Sequence, residues 1–253
     1  MQNKQRKRTP EDTIIGVKPV EEALLAGKSI DKVLMQRGLQ GDAVRKLRTA
    51  LREHGIWIQD VPAARLDRIT RKNHQGVIAF GAPVAFHDLE QLLPGLYETG
   101  DTPLIVALDG VTDVRNFGAI ARSAECMGAY AVVVPERNTA RIGPDAVKTS
   151  AGALLRIPVC KVRNLSDSVR YMQEFGLHIA GISEHSNATL QEVPFAQPTC
   201  LVLGSEFDGI HPEILKLCDT RAKIPMQGEI NSLNVSVAAG VALYECQRQR
   251  LSN

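Results

Sequence analysis

Short apolar runs alternate with helical periods along the first third of the chain. Val44, Leu47 and Leu51 recur at spacings of three and four, which predicts one buried face of a helix over residues 42–54. The other predicted elements here are strands over residues 30–35, 56–58 and 76–80 and helices over residues 19–25 and 63–69. Together they predict a small α/β domain over residues 13–81, which is large enough to fold as a unit.

A second α/β series begins at residue 104, after a stretch rich in helix and strand breakers. The breakers and one short amphipathic segment predict a linker over residues 82–103. The predicted strands beyond it are residues 104–108, 131–134, 159–162, 178–182, 200–203 and 222–224, with helices at residues 116–127, 145–150, 165–175 and 212–217. Short apolar strands alternating with helices favour a parallel sheet covered on both faces. We therefore predict a larger α/β domain over residues 104–253.

The stretch from residue 224 to 245 passes from a strand end through a polar turn into a helix rich in Ala, Val and Gly. Ser232 or Asn234 is placed to cap that helix, because either side chain can accept a hydrogen bond from a free backbone amide. The small residues that would let another backbone approach the helix are Ala238, Ala239, Gly240 and Ala242. Taken alone, this stretch is more typical of a capped core helix than of a functional site.

Polar or glycine-containing loops follow three of the predicted strands, after Leu108, Leu203 and Ile224. Ligands of parallel α/β sheets bind beyond the carboxyl ends of the strands. The first loop lacks the GxGxxG sequence of dinucleotide-binding turns, which argues against an NAD(P)-dependent oxidoreductase. Each loop alone is more often a structural turn, but three on one edge of a sheet predict a site.

Charge is distributed unevenly, although the formal net charge is only +2. Residues 1–72 carry 16 Lys and Arg against 9 Asp and Glu, whereas the remaining residues carry 14 against 19. A basic first third favours contact with a polyanion such as nucleic acid, although a solvated basic surface would have the same composition. Residues 1–12 are polar and basic, and we expect a flexible arm that can touch phosphates.

A second basic feature is the loop before the strand at residues 76–80. Arg71 and Lys72 are followed by the polar side chains of Asn73, His74 and Gln75. These residue types can bind phosphates and base edges of RNA, and they are equally common in polar turns. The sequence leaves both interpretations open.

The five cysteines are scattered, and no two form a CxxC pair. This argues for reduced thiols and against a disulfide framework or a zinc site, so no metal is expected. No apolar run approaches the ~20 residues of a membrane span, and the basic N-terminus lacks the apolar segment of a secretory signal. These features lead us to expect a cytoplasmic protein.

The three loops together resemble the three sequence motifs of the SpoU (TrmH-type) branch of the SPOUT RNA 2′-O-ribose methyltransferases. The matching positions are Asn116 and Arg122 in the first motif, Gly204, Glu206 and Gly209 in the second, and residues 224–236 in the third. The first 80 residues resemble the substrate-binding domain of the same enzymes, and similarity within the branch is greatest to bacterial 23S rRNA guanosine-2′-O-methyltransferases. Two positions depart from the motifs: Val114 replaces a common proline, and Phe207 replaces a common glycine.

The resemblance implies an α/β fold with a C-terminal trefoil knot, S-adenosylmethionine as cofactor, and a homodimer packed partly through the final helix. By resemblance the residues at the reacting atoms are Arg122, Asn116, Glu206, Ser232 and Asn234, and those that hold the cofactor are Gly204, Gly209, Ile224, Met226 and Leu233. Arg122 would lie beside the attacking ribose hydroxyl. Because a guanidinium keeps its proton, we expect it to stabilise the forming alkoxide and grip the adjacent phosphate. Proton loss to water or to a transiently neutral Arg122 stays open.

The sequence therefore predicts methyl transfer to a ribose 2′-hydroxyl in structured RNA, with a guanosine of 23S rRNA as the expected target. The alternatives are a tRNA 2′-O-methyltransferase with the same motifs and an RNA-binding or ribosome-assembly protein on the same scaffold. The presence of all the matching polar residues disfavours the second alternative.

Overall fold

The computed structural model describes residues 13–98, 100, 102–229 and 232–252. The chain divides into two compact units, Met1–Pro83 and Val84–Asn253. The predicted N-terminal arm, residues 1–12, lies outside the described residues.

The first unit is a four-stranded mixed sheet with three helices. Its elements are β1 (Thr13–Ile15), α1 (Val17–Leu25), β2 (Ile30–Gln36), α2 (Asp42–Glu53), β3 (Trp57–Val61), α3 (Ala63–Asp67) and β4 (Val77–Gly81). The strand order is β1-β4-β2-β3, in which β2 and β3 are parallel and the other two pairings are antiparallel. Val44, Leu47 and Leu51 are buried in its core, as their spacing predicts.

The second unit is an eight-stranded sheet in which every pairing is parallel. Its elements are β5 (Phe86–His87), α4 (Leu89–Leu92), β6 (Leu104–Leu108), α5 (Val114–Cys126), β7 (Ala131–Pro135), α6 (Pro144–Thr149), β8 (Val159–Val162), α7 (Leu165–Glu174), β9 (His178–Ile182), β10 (Ala188–Thr189), β11 (Thr199–Leu203), α8 (Pro212–Leu217), β12 (Thr220–Lys223) and α9 (Val235–Leu251). Two apolar clusters, each containing residues of the same central strands, cover the two faces of the sheet. The predicted parallel α/β architecture is confirmed.

The predicted linker over residues 82–103 is wrong for most of its length. The boundary between the units falls after Pro83, and β5 pairs with β8 in the large sheet. Leu89, Leu93 and Leu96 are at most 5% exposed and pack in the core of the second unit. The burial of these leucines makes residues 84–96 part of the second unit, although helix- and strand-breaking residues are frequent there.

Strand order brings two of the three loops together. The order β10-β12-β9-β11-β6-β7-β8-β5 places β11 directly between β9 and β6, with Leu203 opposite Leu108 at the strand ends. The amide of Asp109 donates to the carbonyl oxygen of Leu203 at 2.8 Å. The chain leaves β6 towards β7 on one side and returns through β9 and β11 on the other, so this edge is a switch point where a crevice forms.

Helix α9 has a buried face and an exposed apolar face. Ala239 and Ala242 are fully buried in the cluster that includes residues of α5, whereas Val237 is 51% exposed and Tyr244 61%. Ala239 and Ala242 therefore pack within the chain, and the exposed apolar side chains lie on the other face of the helix. Among the described residues, no helix is long and apolar enough to cross a membrane.

Arg250 ties the end of α9 to the rest of the unit. Its guanidinium donates to the carbonyl oxygens of Thr102, Pro103, Phe195 and Gln197 at 2.6–3.2 Å. These acceptors lie just before β6 and β11, the two central strands. Burial lowers the pKa of Arg250, while the four carbonyl acceptors satisfy its donors.

Candidate active site

A cavity of about 200 Å³ opens at the carboxyl edge of the large sheet. Its walls come from the segments that follow β9 and β11, from Ile224 and Met226 after β12, and from Ser232 to Ala238 at the start of α9. All five residues predicted to hold the cofactor line it: Gly204, Gly209, Ile224, Met226 and Leu233. Ser232 and Glu206 line it as well, so the cavity joins the second and third loops.

Gly204 is required where the second loop leaves β11. A Cβ at this position would lie 2.0 Å from the carbonyl carbon of Gly209 and 2.2 Å from the amide nitrogen of Ile210. Both atoms belong to the backbone, so a rotamer change could not relieve the overlap. The close approach of the two chain segments forms one side of the cavity.

The turn that follows is closed by its own hydrogen bonds. Ser205 and Gly209 exchange backbone hydrogen bonds of 3.0 and 3.1 Å, and the amide of Asp208 donates to Ser205 Oγ at 2.9 Å. Gly209 has φ of +66°, a conformation that glycine adopts without strain. The turn therefore holds a fixed shape at the mouth of the cavity.

A polar cluster joins all three loops beside the cavity. Asn116 Nδ2 donates to Glu206 Oε1 at 2.9 Å, and Asn234 Nδ2 donates to the same oxygen at 2.5 Å. Asn234 Nδ2 also lies 3.1 Å from Asn116 Oδ1, its second acceptor. Residues 28 to 118 positions apart in the sequence thus form one hydrogen-bonded unit.

The two asparagines are oriented by helix starts. Asp113 caps α5 by accepting from the amides of Arg115 and Asn116 at 2.7 and 2.9 Å. Asn234 caps α9 by accepting from the amide of Ser236 at 2.9 Å, which turns its Nδ2 towards Glu206. Of the two candidate caps, Asn234 takes this position, whereas Ser232 lines the cavity. Since both helices begin beside Glu206, their dipoles favour negative charge at this point.

Arg122 stands apart from the cluster. Six residues after Asn116 correspond to about 9 Å along the helix axis and roughly 120° around it. The side chain of Arg122 is exposed. It does not belong to the described residues that line the cavity. The structure therefore brings together four of the five predicted reaction-site residues and leaves Arg122 on the neighbouring surface of α5.

Three side chains of the predicted RNA-binding loop make hydrogen bonds within the first unit. His74 Nε2 lies 3.0 Å from Asp67 Oδ1, and its Nδ1 accepts from the amide of Gly76. Asn73 accepts from the amide of Gln75, whose side chain accepts from the amide of Val17 at 3.3 Å. Arg71 and Lys72 are exposed cations on this held loop.

The segment after β9 was not predicted to contribute to the site. Ser183, Glu184 and His185 line the cavity because β9 ends at the same sheet edge, beside β11. Ligands bind beyond the carboxyl ends of parallel strands, and this rule applies to β9 as well. The sequence does not reveal that β9 lies beside β11, so these residues were not predicted. The structure shows no group of three or more His, Cys, Asp or Glu side chains placed to hold a metal among the residues it describes.

The residues present fit an adenosyl cofactor. Leu203, Ile224, Leu233 and Val235 give the cavity apolar walls. Among the described residues, the amides of Ile224, Met226 and Leu233 make no backbone hydrogen bond outside the helices and strands. An apolar cavity with a few backbone donors is typical of small-molecule and cofactor sites.

The fold and the site define a class: parallel α/β enzymes with a cofactor cavity at the switch point and a polar cluster at its mouth. The SpoU rRNA Methylase family profile matches residues 103–244, and the profile for RNA 2′-O ribose methyltransferase substrate binding matches residues 13–86. The chain belongs to the SpoU rRNA methylase family. Its enzymes are RNA 2′-O-ribose methyltransferases that use S-adenosylmethionine.

Relatives agree with this assignment along most of the chain. A Staphylococcus haemolyticus protein named for the TrmH family of tRNA/rRNA methyltransferases is 34% identical over 94% of this chain and 95% of its own length. The SpoU methyltransferase AviRb from Streptomyces viridochromogenes, solved with AdoMet, has 27% identity and a TM-score of 0.60 over 95% of this chain and 91% of its own. The A. aeolicus TrmH/SpoU tRNA modifying enzyme has 34% identity and a TM-score of 0.54 over 65% and 85%.

Proposed function

We propose that the chain methylates the 2′-hydroxyl of a guanosine ribose in 23S rRNA. The observation that carries the methyl-transfer reaction is the hydrogen-bonded cluster of Asn116, Glu206 and Asn234 beside the cavity. The choice of a guanosine in 23S rRNA follows from the sequence resemblance. When bound, S-adenosylmethionine supplies a methyl group on a sulfonium centre. The remaining requirements fall to the protein: hold the ribose in line, accommodate the hydroxyl proton and stabilise negative charge on oxygen.

The cavity and the cluster divide these tasks. Gly204, Ile224 and Leu233 hold the adenosyl group through backbone atoms and shape, and Ser232 lies where the cavity meets the target ribose. The cluster fixes the three loops relative to one another, so that the ribose is aligned at its mouth. Alignment alone can contribute roughly 7–11 kcal/mol to lowering a barrier of this kind.

Arg122 acts on the hydroxyl and the phosphate of the target nucleotide. Its guanidinium keeps its charge and presents several donors in a planar fork, which suits a forming alkoxide and a neighbouring phosphate. The proton then passes to water. This role is a proposal from the first motif, and the exposed position of Arg122 leaves it accessible to RNA.

The first unit selects the RNA. Its family profile describes substrate binding, and Arg71 and Lys72 are exposed cations on a loop fixed by its own hydrogen bonds. We expect these two residues to contact phosphates, while Asn73, His74 and Gln75 act mainly by holding the loop. Target bases in folded RNA are reached when they are splayed out of the stack.

A reducing compartment suits this chain, and we propose the cytoplasm. All five cysteines are free, and four of them are buried. Burial raises the pKa of Cys160 to about 11 and that of Cys246 to about 12, so these thiols stay protonated and inert. The trefoil knot implied by the sequence resemblance stays a prediction.

The proposed enzyme is a homodimer that packs through the exposed face of α9. Val237, Val241 and Tyr244 form an apolar stripe on this helix, with exposures of 38–61%. A Cβ at Gly240 would lie 4.0 Å from Ser123 Oγ, so this part of α9 faces α5, the helix that carries Arg122. Dimerisation would place a second subunit on the helix whose start, at Val235 and Ala238, lines the cavity.

Replacing Val241 by glutamate is expected to convert a dimer into monomers, because a carboxylate would be buried in an apolar interface. Sedimentation equilibrium should then give the 27.6 kDa of one chain. The matched control is Leu155→Glu, which alters a 61% exposed leucine away from α9 and should leave the dimer intact. A monomeric wild-type protein at micromolar concentration would remove the dimer proposal.

The deciding test of the function is a map of 2′-O-methyl groups by mass spectrometry in RNA from cells that lack the protein. We expect one guanosine methyl to disappear from 23S rRNA and to return with the wild-type gene but not with the Arg122→Ala variant. If a methyl group is missing from a tRNA and the 23S rRNA pattern is unchanged, the substrate is that tRNA instead. Such a result would agree with the tRNA-modifying enzymes among the similar structures. If calorimetry detects no binding of S-adenosylmethionine by the folded protein, the chain is a non-catalytic RNA-binding protein.

A further inference from the structure

Phe207 is exposed at the mouth of the cavity. It is 95% exposed, more than any other large hydrophobic residue in the described part of the chain, and it lines the cavity opening. An aromatic ring in water forgoes the stabilisation that burial would give it. A single exposed apolar side chain is ordinary on a surface, but this ring adjoins a reaction site.

The position of Phe207 is fixed by its loop. Ser205 and Gly209 close the turn with two backbone hydrogen bonds, and Asp208 is bonded to Ser205 Oγ. The preceding residue, Glu206, is held by Asn116 and Asn234. Phe207 therefore stands at the tip of a rigid turn, with the reaction site on one side and solvent on the other.

We propose that Phe207 stacks on the base of the nucleotide whose ribose is methylated. This inference rests on the proposed function, which brings a ribose to the cluster of Asn116, Glu206 and Asn234. Phe207 directly follows Glu206 of that cluster, so a ribose held there would bring its base near the ring. Aromatic side chains stack on bases that have left the RNA helix. Met226 and Leu233, each 38% exposed, also line the cavity, on the walls assigned to the cofactor.

Charge around the ring favours a base over the other occupants. Glu206 and Asp208 flank Phe207, and Glu184 lies on the same cavity lining. Carboxylates repel the phosphates of an RNA backbone, whereas the face of a base carries no net charge. A protein partner would require a contiguous apolar patch, and a single ring between two carboxylates does not provide one.

The test compares variants on the RNA in which mapping finds the missing methyl group, used as a short transcript. Phe207→Ala is expected to lower kcat/KM for this RNA by roughly 5- to 150-fold, mainly through KM, because one stacking contact is lost. Phe207→Trp should stay within about threefold of the wild type, since it keeps an aromatic face. The affinity for S-adenosylmethionine should be unchanged, because a ring that is 95% exposed at the cavity opening offers the cofactor little surface. Leu155→Ala, which removes another exposed apolar side chain, is the control.

A substrate that lacks the target base separates stacking from other roles. On an RNA with an abasic ribose at the target position, Phe207→Ala should have no further effect, because the stacking partner is already absent. An equal loss on both RNAs, a weaker cofactor affinity or a shift to monomers would each overturn the stacking role. Wild-type protein that methylates no RNA contradicts the proposed function itself, whereas full activity of Phe207→Ala contradicts this inference alone.

Discussion

Replacing Arg122 by alanine is expected to slow methyl transfer roughly 100- to 1,000-fold, because the guanidinium is the one cation proposed for the forming alkoxide. The affinity for S-adenosylmethionine should change little, since Arg122 is not among the described residues that line the cavity. Single-turnover rates with saturating RNA, together with calorimetry for the cofactor, measure the two effects separately. Sedimentation is needed as well, because Arg122 lies on α5, which packs against the helix of the proposed interface.

Arg122→Lys distinguishes the geometry of the guanidinium from its charge. If the planar fork is required, the lysine variant should remain much slower than the wild type. Near-native turnover would leave only a role for positive charge. Arg170→Ala is the matched control: this arginine pairs with Asp167 on the surface of α7, 2.9 Å away, and its loss should affect neither rate nor affinity.

Replacing Gly204 by alanine should abolish measurable binding of S-adenosylmethionine. The new Cβ would overlap the backbone of Gly209 at 2.0 Å, so the turn must move away from β11 and the cavity must change shape. Overpacking of this kind destabilises a fold by about 1–3 kcal/mol or more. Calorimetry with the cofactor and thermal unfolding of the same variant report the two effects.

The control for this glycine is Gly240→Ala in the middle of α9. There the nearest atom would be 4.0 Å away, and alanine should stabilise the helix by about 0.5–1 kcal/mol. Wild-type cofactor affinity in Gly204→Ala would show that the close approach at residue 209 is not needed for the cavity.

The sequence predicted the parallel sheet because its strands are short apolar runs between amphipathic helices. It placed Asn116, Glu206 and Asn234 at one sheet edge, but their contact depends on β11 lying between β9 and β6. Nothing in local periodicity specifies that order, since it is decided by pairing between distant strands. The same limit explains why the residues after β9 were missed.

Three other differences between prediction and structure have local causes. β1, β5 and β10 are two or three residues long, too short to give a periodic signal. The segment from Leu89 to Leu96 carried leucines at helical spacing, which the nearby breakers obscured. Composition also could not tell which face of α9 meets its own chain, so the small residues were assigned to a partner.

The hydrogen bonds of Arg250 can form only late in synthesis, because this residue follows its bonding partners by many positions in the chain. The helix that supplies one wall of the cavity is held at its far end by bonds to carbonyls just before β6 and β11, about 50 to 150 residues earlier. On the ribosome, the central strands emerge long before the residue that ties them to α9. The cavity wall formed by α9 is therefore anchored only after Arg250 has left the ribosome, long after the central strands have emerged.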